Sequence, residues 1–219
     1  MKTKENLDKH HIMHKPSKIV LIPHRKHEII HGISPIENEL TLKVRQYDML
    51  TKILVAIANR KHAYLREFGL NPINVNTKKL EDKKAQFFKD EIKPLIRKEL
   101  FKVKHIKGLG PVNLARLLAY AHPNRFPTVG RYLYYCGYTK ASKITKRYSR
   151  KACSTVYLIT TQLIRHKDPK YYPLYLKIKE EQPKEYSKVS KHRIAMNRTA
   201  TLFLKEFYSL FHEEESFKC

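Results

Sequence analysis

Between Pro35 and Phe68, apolar side chains recur at Ile36, Leu40, Val44, Tyr47, Leu50, Leu54, Ile57, Leu65 and Phe68. Steps of three and four residues place them on one side of an α-helix, so the spacing predicts one long amphipathic helix. Proline suits a first helical turn, where its missing N–H has no partner to lose, and glycine accepts the left-handed conformation that closes a helix. Pro35 and Gly69 therefore bound this one. A polar turn, NPINVNT, leads to a second predicted helix from about Lys78 to Val103, with Leu80, Phe87, Phe88, Ile92, Leu95, Ile96 and Leu100 on its face. Pro94 is expected to kink it, because proline removes one helical hydrogen bond and crowds the preceding turn. Two long helices joined by a short loop read as an antiparallel, coiled-coil-like hairpin, which could also serve as the contact of a homodimer.

The same three-and-four rhythm continues to the C-terminus. A helix reaches Tyr120 and stops at HPNRFP; a short one lies near Val129 to Cys136, before the loop GYTKASKITKRYS. Another runs from about Arg150 to Arg165, DPKYYPLYLKIKEE is helical after its prolines, and SKHRIAMNRTATLFLKEFYSLF forms a long closing helix before an acidic HEEE tail. No stretch alternates with period two for long, and KIVLIP is the sole candidate strand, or else an anchored segment. The expected fold class is mostly α, a helical hairpin followed by a helical domain containing a helix-hairpin-helix. Its organisation reads as a basic, His-rich and partly disordered arm (1–34), the hairpin (35–103) and the helical domain (104–219).

Charge changes the picture from fold to partner. The 219 residues carry 45 Lys+Arg against 20 Asp+Glu, a formal charge of +25. Such an excess repels itself in a compact state and is best accommodated against a polyanion. No run approaches the roughly 18 apolar residues of a membrane span, and the first residues lack an apolar signal core. A cytoplasmic protein with a nucleic-acid partner is expected, rather than one bound to a lipid surface. The basic residues are also unevenly placed: between Glu99 and Asp168 there is no Asp or Glu, but there are 14 Lys and Arg. Cys136, Cys153 and Cys219 form neither a CxxC pair nor an even set, so reduced and mostly buried thiols are expected. No cofactor or metal is implied by the acid-free region.

Inside it lies HIKGLGPVNLARLLAY. Val103 and Ile106, then Gly108-Leu109-Gly110, then Leu114, Leu117 and Leu118 with the small Ala115, fit the turn of a helix-hairpin-helix. The two glycines can take positive φ and bring backbone close to a partner, Leu109 can tuck between the helices, and Pro111 suits the first turn of the second helix. Amides of such a turn can hold a phosphate oxygen without reading sequence. The nucleic-acid-binding set expected on these grounds is Lys104, Lys107, Gly108, Leu109, Gly110, Arg125 and Arg131, with Lys140, Lys143, Lys146, Arg147, Arg150 and Lys151 from the KITKRYSRK region. The aromatics of RYLYYCGYTK are open to two readings, stacking on unpaired bases or packing in the core.

In order, VKHIKGLGPVNLARLLAYAH, NRFPTVGRYLYYCGY, ITKRYSRKACSTVYLITTQLI, DPKYYPLYLKIK and KHRIAMNRTATLFLKEFYSLF resemble the C-terminal transposase domain of the Piv/MooV-type DEDD transposases and recombinases. The preceding hairpin resembles that family's coiled-coil insert. The resemblance implies DNA as partner, with structured RNA as an alternative, and a role in transposition or recombination. The family's RuvC-like nuclease domain has no counterpart here: Glu5, Asp8, Glu28 and Glu37 do not fall on strand ends. The family's serine maps nearest to Ser142, in a shorter loop, and Tyr148 stands where the family has glycine. The implied protein is a truncated or accessory derivative more readily than a complete enzyme; if catalytic, it would be a DNA transposase using Ser142.

A second class of function is written in His27-Glu28-Ile29-Ile30-His31, which matches the HExxH pattern letter for letter. On a helix the two histidines would bind zinc and the glutamate would act as general base of a small metalloprotease. Pro23 and the break that begins at Gly32 and ends at Pro35 leave that helix barely two turns. Adventitious metal binding by His10, His11, His14, His24, His27 and His31 is the plainer use of so many imidazoles.

Overall fold

The structure is a computed structural model and describes residues 7–10, 20–23, 35–69 and 77–212. It is mostly α-helical. Two short strands, β1 (Leu7–His10) and β2 (Val20–Pro23), pair antiparallel with Leu7 opposite Pro23. KIVLIP is thus a strand over Val20–Pro23, and Leu7–His10, expected within an irregular arm, is its partner.

Helix α1 spans Pro35–Phe68, as the spacing predicts. Gly69 takes φ +64°, and its N–H donates to the Leu65 carbonyl at 3.1 Å, closing the last turn. Helix α2 (Thr77–Phe87) returns along α1. The helix expected to run on to Val103 instead changes pitch. A π-turn covers Phe88–Ile92, a 3-10 turn Pro94–Ile96, and α3 Arg97–Lys102. Pro94 is the cause: with no N–H to give and a ring that crowds the preceding turn, it makes the segment widen before it and tighten after it. The Lys93 N–H accordingly reaches back five residues to the Phe88 carbonyl, 2.9 Å away.

The bundle is completed by α4 (Pro111–Ala121), a 3-10 turn (Pro123–Arg125), α5 (Val129–Tyr135), α6 (Lys140–Thr145), α7 (Arg150–Arg165), α8 (Tyr171–Glu180) and α9 (Lys188–His212). Its core gathers Leu114, Leu117 and Leu118 of α4, Val156, Ile159 and Leu163 of α7, and Phe203, Leu204 and Phe207 of α9, all buried. The hairpin joins this core at its base. Leu40 and Val44 are buried, Tyr47 packs on Phe88 with ring centroids 5.5 Å apart, and Thr41 Oγ1 donates to the Ala119 carbonyl at 3.0 Å. Farther along, no residue of 51–68 and none of α2 is buried. The hairpin's outer part is therefore held by helix-on-helix contact alone, which buries too little to stand without its partner helix.

Candidate nucleic-acid interface

The glycine turn has a different geometry from the one expected of it. Gly108 does take positive φ, +99°, but the backbone it approaches belongs to this chain. A Cβ there would lie 2.8 Å from the Gln162 carbonyl oxygen and 3.2 Å from the Leu163 nitrogen. Gly110 has φ −71°, and nothing lies within 4 Å of a Cβ built on it, so the expectation of positive φ is corrected at this position. Leu109 is buried and Pro111 opens α4, as expected. The turn's amides are largely spent inside the molecule. Lys107 N–H donates to Asp168 Oδ2 at 2.8 Å, Leu109 N–H to the Ile106 carbonyl and Gly110 N–H to the Gly108 carbonyl. What the turn leaves toward solvent is the start of α4, which no side chain caps, with Lys104 and Lys107 exposed beside it.

The other predicted residues lie elsewhere. Gly108 packs at Gln162, whereas Arg150 opens the same helix twelve residues earlier, about 18 Å away at 1.5 Å per residue. The basic set is thus divided between two ends of α7. Arg150 and Lys151 open α7, Lys146 and Arg147 lie on the turn before it, Lys140 and Lys143 on α6 and Arg131 on α5, all exposed. Three hydrogen bonds fix this end. Ser149 Oγ caps α7 by accepting the Ala152 N–H, the Ser149 N–H donates to the Tyr135 carbonyl at 2.9 Å, and the Tyr134 and Thr145 hydroxyls meet at 2.8 Å. Arg125, half-buried, sits apart on the turn after α4, where its charge helps hold His122 down to a pKa of about 4, after burial, the larger cause.

Residues outside the acid-free segment join this end. A groove of about 600 Å³ runs between α1 and α7. Arg45 and Lys52 line it on the α1 side and Arg150 and Lys151 on the α7 side, with Met49 and Leu158 also exposed along it. Its floor is a fixed polar cluster. Asp48 accepts from Arg116 Nε at 2.8 Å and Nη2 at 2.7 Å, and from the Tyr120 hydroxyl at 2.6 Å. Burial, then the bond to Asp48, pushes the Tyr120 hydroxyl well above the ordinary tyrosine range. Lys151 Nζ lies 5.0 Å from the Tyr120 ring centroid, a cation-π contact that keeps the ammonium at the groove. Sequence reasoning missed Arg45 and Lys52 because it sought charge where acids were absent, and α1 carries acids. Their spacing was the available signal: positions 45, 48, 49 and 52 share one helical face.

Ser142 is fully buried on α6, and its hydroxyl completes a capping box. It donates to the Thr139 carbonyl at 2.8 Å and accepts the Thr139 N–H at 3.2 Å, so attack on a phosphate would require the cap to open. The tyrosines also divide. Tyr132 is completely buried and belongs to the core, whereas Tyr134 and Tyr135 are half-buried. Tyr148 has a local reason, since its ring fills the space a Cβ on Gly137 would need, at 2.8 Å, and Gly137 has φ +82°. Cys136 is buried and Cys153 half-buried, both as free thiols whose pKa burial raises. The HExxH residues His27, Glu28 and His31, and likewise His11, His14 and His24, lie outside the described residues. Among the described residues, no cluster of three His, Cys, Asp or Glu could hold a metal, and no helix is long and apolar enough to cross a membrane.

Compared with known proteins, the chain matches no family model, no curated sequence and no solved structure.

Proposed function

We propose that this is a nucleic-acid-binding protein that grips phosphates with the basic end of its helical bundle, DNA being the favoured partner. The observation that carries the reading is the run from Leu100 to Lys167, with 14 cations and no carboxylate, seven of whose cations stand exposed between α5 and the first turn of α7 in the chain. Long flexible cations over a backbone fixed by caps suit phosphates, which are uniform along a strand, rather than base edges, which are not. The resemblance to transposase C-terminal domains supports a role in transposition or recombination, in an accessory capacity: the chain offers a surface for nucleic acid, and Ser142, the candidate nucleophile, is occupied in a cap.

The test is a binding series over duplex DNA, a four-way junction, single strands and structured RNA, repeated from low to moderate salt. With about six phosphate contacts, log K on duplex DNA should fall by about 0.9 per contact for each decade of salt. Replacing Lys143, Arg147 and Arg150 with alanine should weaken binding and flatten that slope, while alanine at Lys184, exposed beyond α8, should do neither. Binding indifferent to salt would sink the proposal. Adding magnesium to the same mixtures and looking for nicked product tests catalysis directly.

A further inference from the structure

We infer that the groove between α1 and α7 seats one unpaired nucleic-acid strand, so that the protein prefers single-stranded segments to continuous duplex; this rests on the nucleic-acid reading above. Charge arrives from both walls. Arg45 and Lys52 come from the hairpin and Arg150 and Lys151 from α7, so a strand lying along the groove meets cations on either side. The acid lining the groove, Asp48, is engaged by Arg116 and the Tyr120 hydroxyl, which offsets its charge and ties α1 to α4 at the groove's floor.

Size and apolar lining select the unpaired form. About 600 Å³ is the volume of an ordinary small-ligand site. It admits one or two nucleotide units but not the cross-section of a double helix, which could touch the rim alone. Met49 and Leu158, 64% and 43% exposed, line the same groove as the cations. A surface made for phosphates has no use for exposed apolar side chains, whereas a base turned out of its stack has a flat apolar face to cover. Single-strand sites combine these two parts, a cationic track and an apolar platform tolerant of sequence. The chemistry is shared by single-stranded DNA and RNA.

The experiment measures fluorescence anisotropy of the full chain with labelled oligo-dT, its oligo-U counterpart and a duplex of equal length, over a range of salt. Arg45→Ala with Lys52→Ala should weaken single-strand binding about tenfold and make the salt slope shallower by about 1.4, at roughly 0.7 per lost contact, leaving duplex affinity within about twofold. Met49→Ser with Leu158→Ser changes no charge. It should weaken single-strand binding about fivefold with the slope unaltered, because only base contact is lost. All four side chains are exposed, so circular dichroism should show intact helices in both variants. Equal loss on duplex and single strand, or no loss in either variant, overturns the groove while leaving the nucleic-acid reading in place. Failure of the unaltered protein to bind any of the three oligonucleotides overturns both.

Discussion

The carboxylate of Asp168 accepts the backbone N–H of Lys107 at 2.8 Å, across 61 residues of chain. Asp168 is the first acid after the long acid-free run, and it is buried. Its other oxygen accepts the N–H groups of Lys170 and Tyr171, at 2.9 and 3.0 Å, and so shapes the start of α8. One side chain thereby ties the glycine turn to the junction of α7 and α8. The anion that the Lys107 amide binds is part of the protein.

Asp168→Ala removes the acceptor for three backbone donors at a site with little access to water. Unfolding free energy should fall by about 2–4 kcal/mol, because buried donors left unpaired cost more than an average hydrogen bond contributes. Asp168→Asn keeps one acceptor oxygen and should lose about half as much. Urea melts of the two variants check this; equal loss in both would mean that charge, not hydrogen-bond capacity, holds the turn.

The two glycines of the turn should respond in opposite ways. At Gly108 an alanine meets the Gln162 carbonyl at 2.8 Å with φ at +99°, so backbone must shift or strain be stored. A loss of about 2–3 kcal/mol is expected, from a clash and an unfavourable φ together. At Gly110 the φ is ordinary and the space is open, so Gly110→Ala should stay within about 0.5 kcal/mol. Thermal melts that ranked the two alike would show the turn to be looser than its geometry.

That contrast also shows what the sequence could and could not convey. The bounds of α1 were legible from Pro35, Gly69 and the spacing between them, and those of α7 from the run Arg150 to Arg165, because helix periodicity and caps are local signals. The break around Pro94 was legible as a kink but not as a π-turn followed by a 3-10 turn, since how a helix absorbs a lost hydrogen bond depends on its packing. The reason for Gly108 was not legible at all, because its neighbour is Gln162, 54 positions away. Ser142 looked like a loop hydroxyl because its loop contains a short helix, although Thr139 three residues earlier had the spacing of a cap. The groove's second wall was hidden by α1's own acids, one of which, Asp48, proves to be its organiser.

His122 should make stability depend on pH. Burial first, then the positive charges of Arg125, Lys102 and His212, lower its pKa to about 4. An unfolded histidine titrates near 6.5, so between pH 6.5 and 4 the unfolded chain holds a proton that the folded chain does not. Stability from this group is complete above pH 6.5 and is lost as pH falls toward 4, by up to about 3 kcal/mol. Below 4 it adds no further slope. Its Nδ1 accepts the Asn124 N–H at 3.3 Å, so His122→Asn, which keeps an acceptor there, should flatten the melting temperature across that window. An unchanged pH profile in the variant would assign the loss to other groups.

Asp48 offers the sharpest separation of fold from function. In Asp48→Asn the two Arg116 contacts lose their charge partner, while one amide oxygen still faces the Tyr120 hydroxyl. The pair is partly exposed, about a fifth to a quarter of each side chain, so solvent screening limits the loss to about 1–2 kcal/mol. Nucleic-acid affinity should move the other way. The groove gains one net positive charge and Arg116 becomes available to a phosphate, so binding at 0.1 M salt should tighten about two- to fivefold, with a salt slope steeper by up to about one contact. A variant that is less stable and yet binds more tightly places Asp48 as the internal substitute for the anion the groove is built to receive. One that loses both stability and affinity makes the Asp48–Arg116 contact a support on which the groove's shape depends.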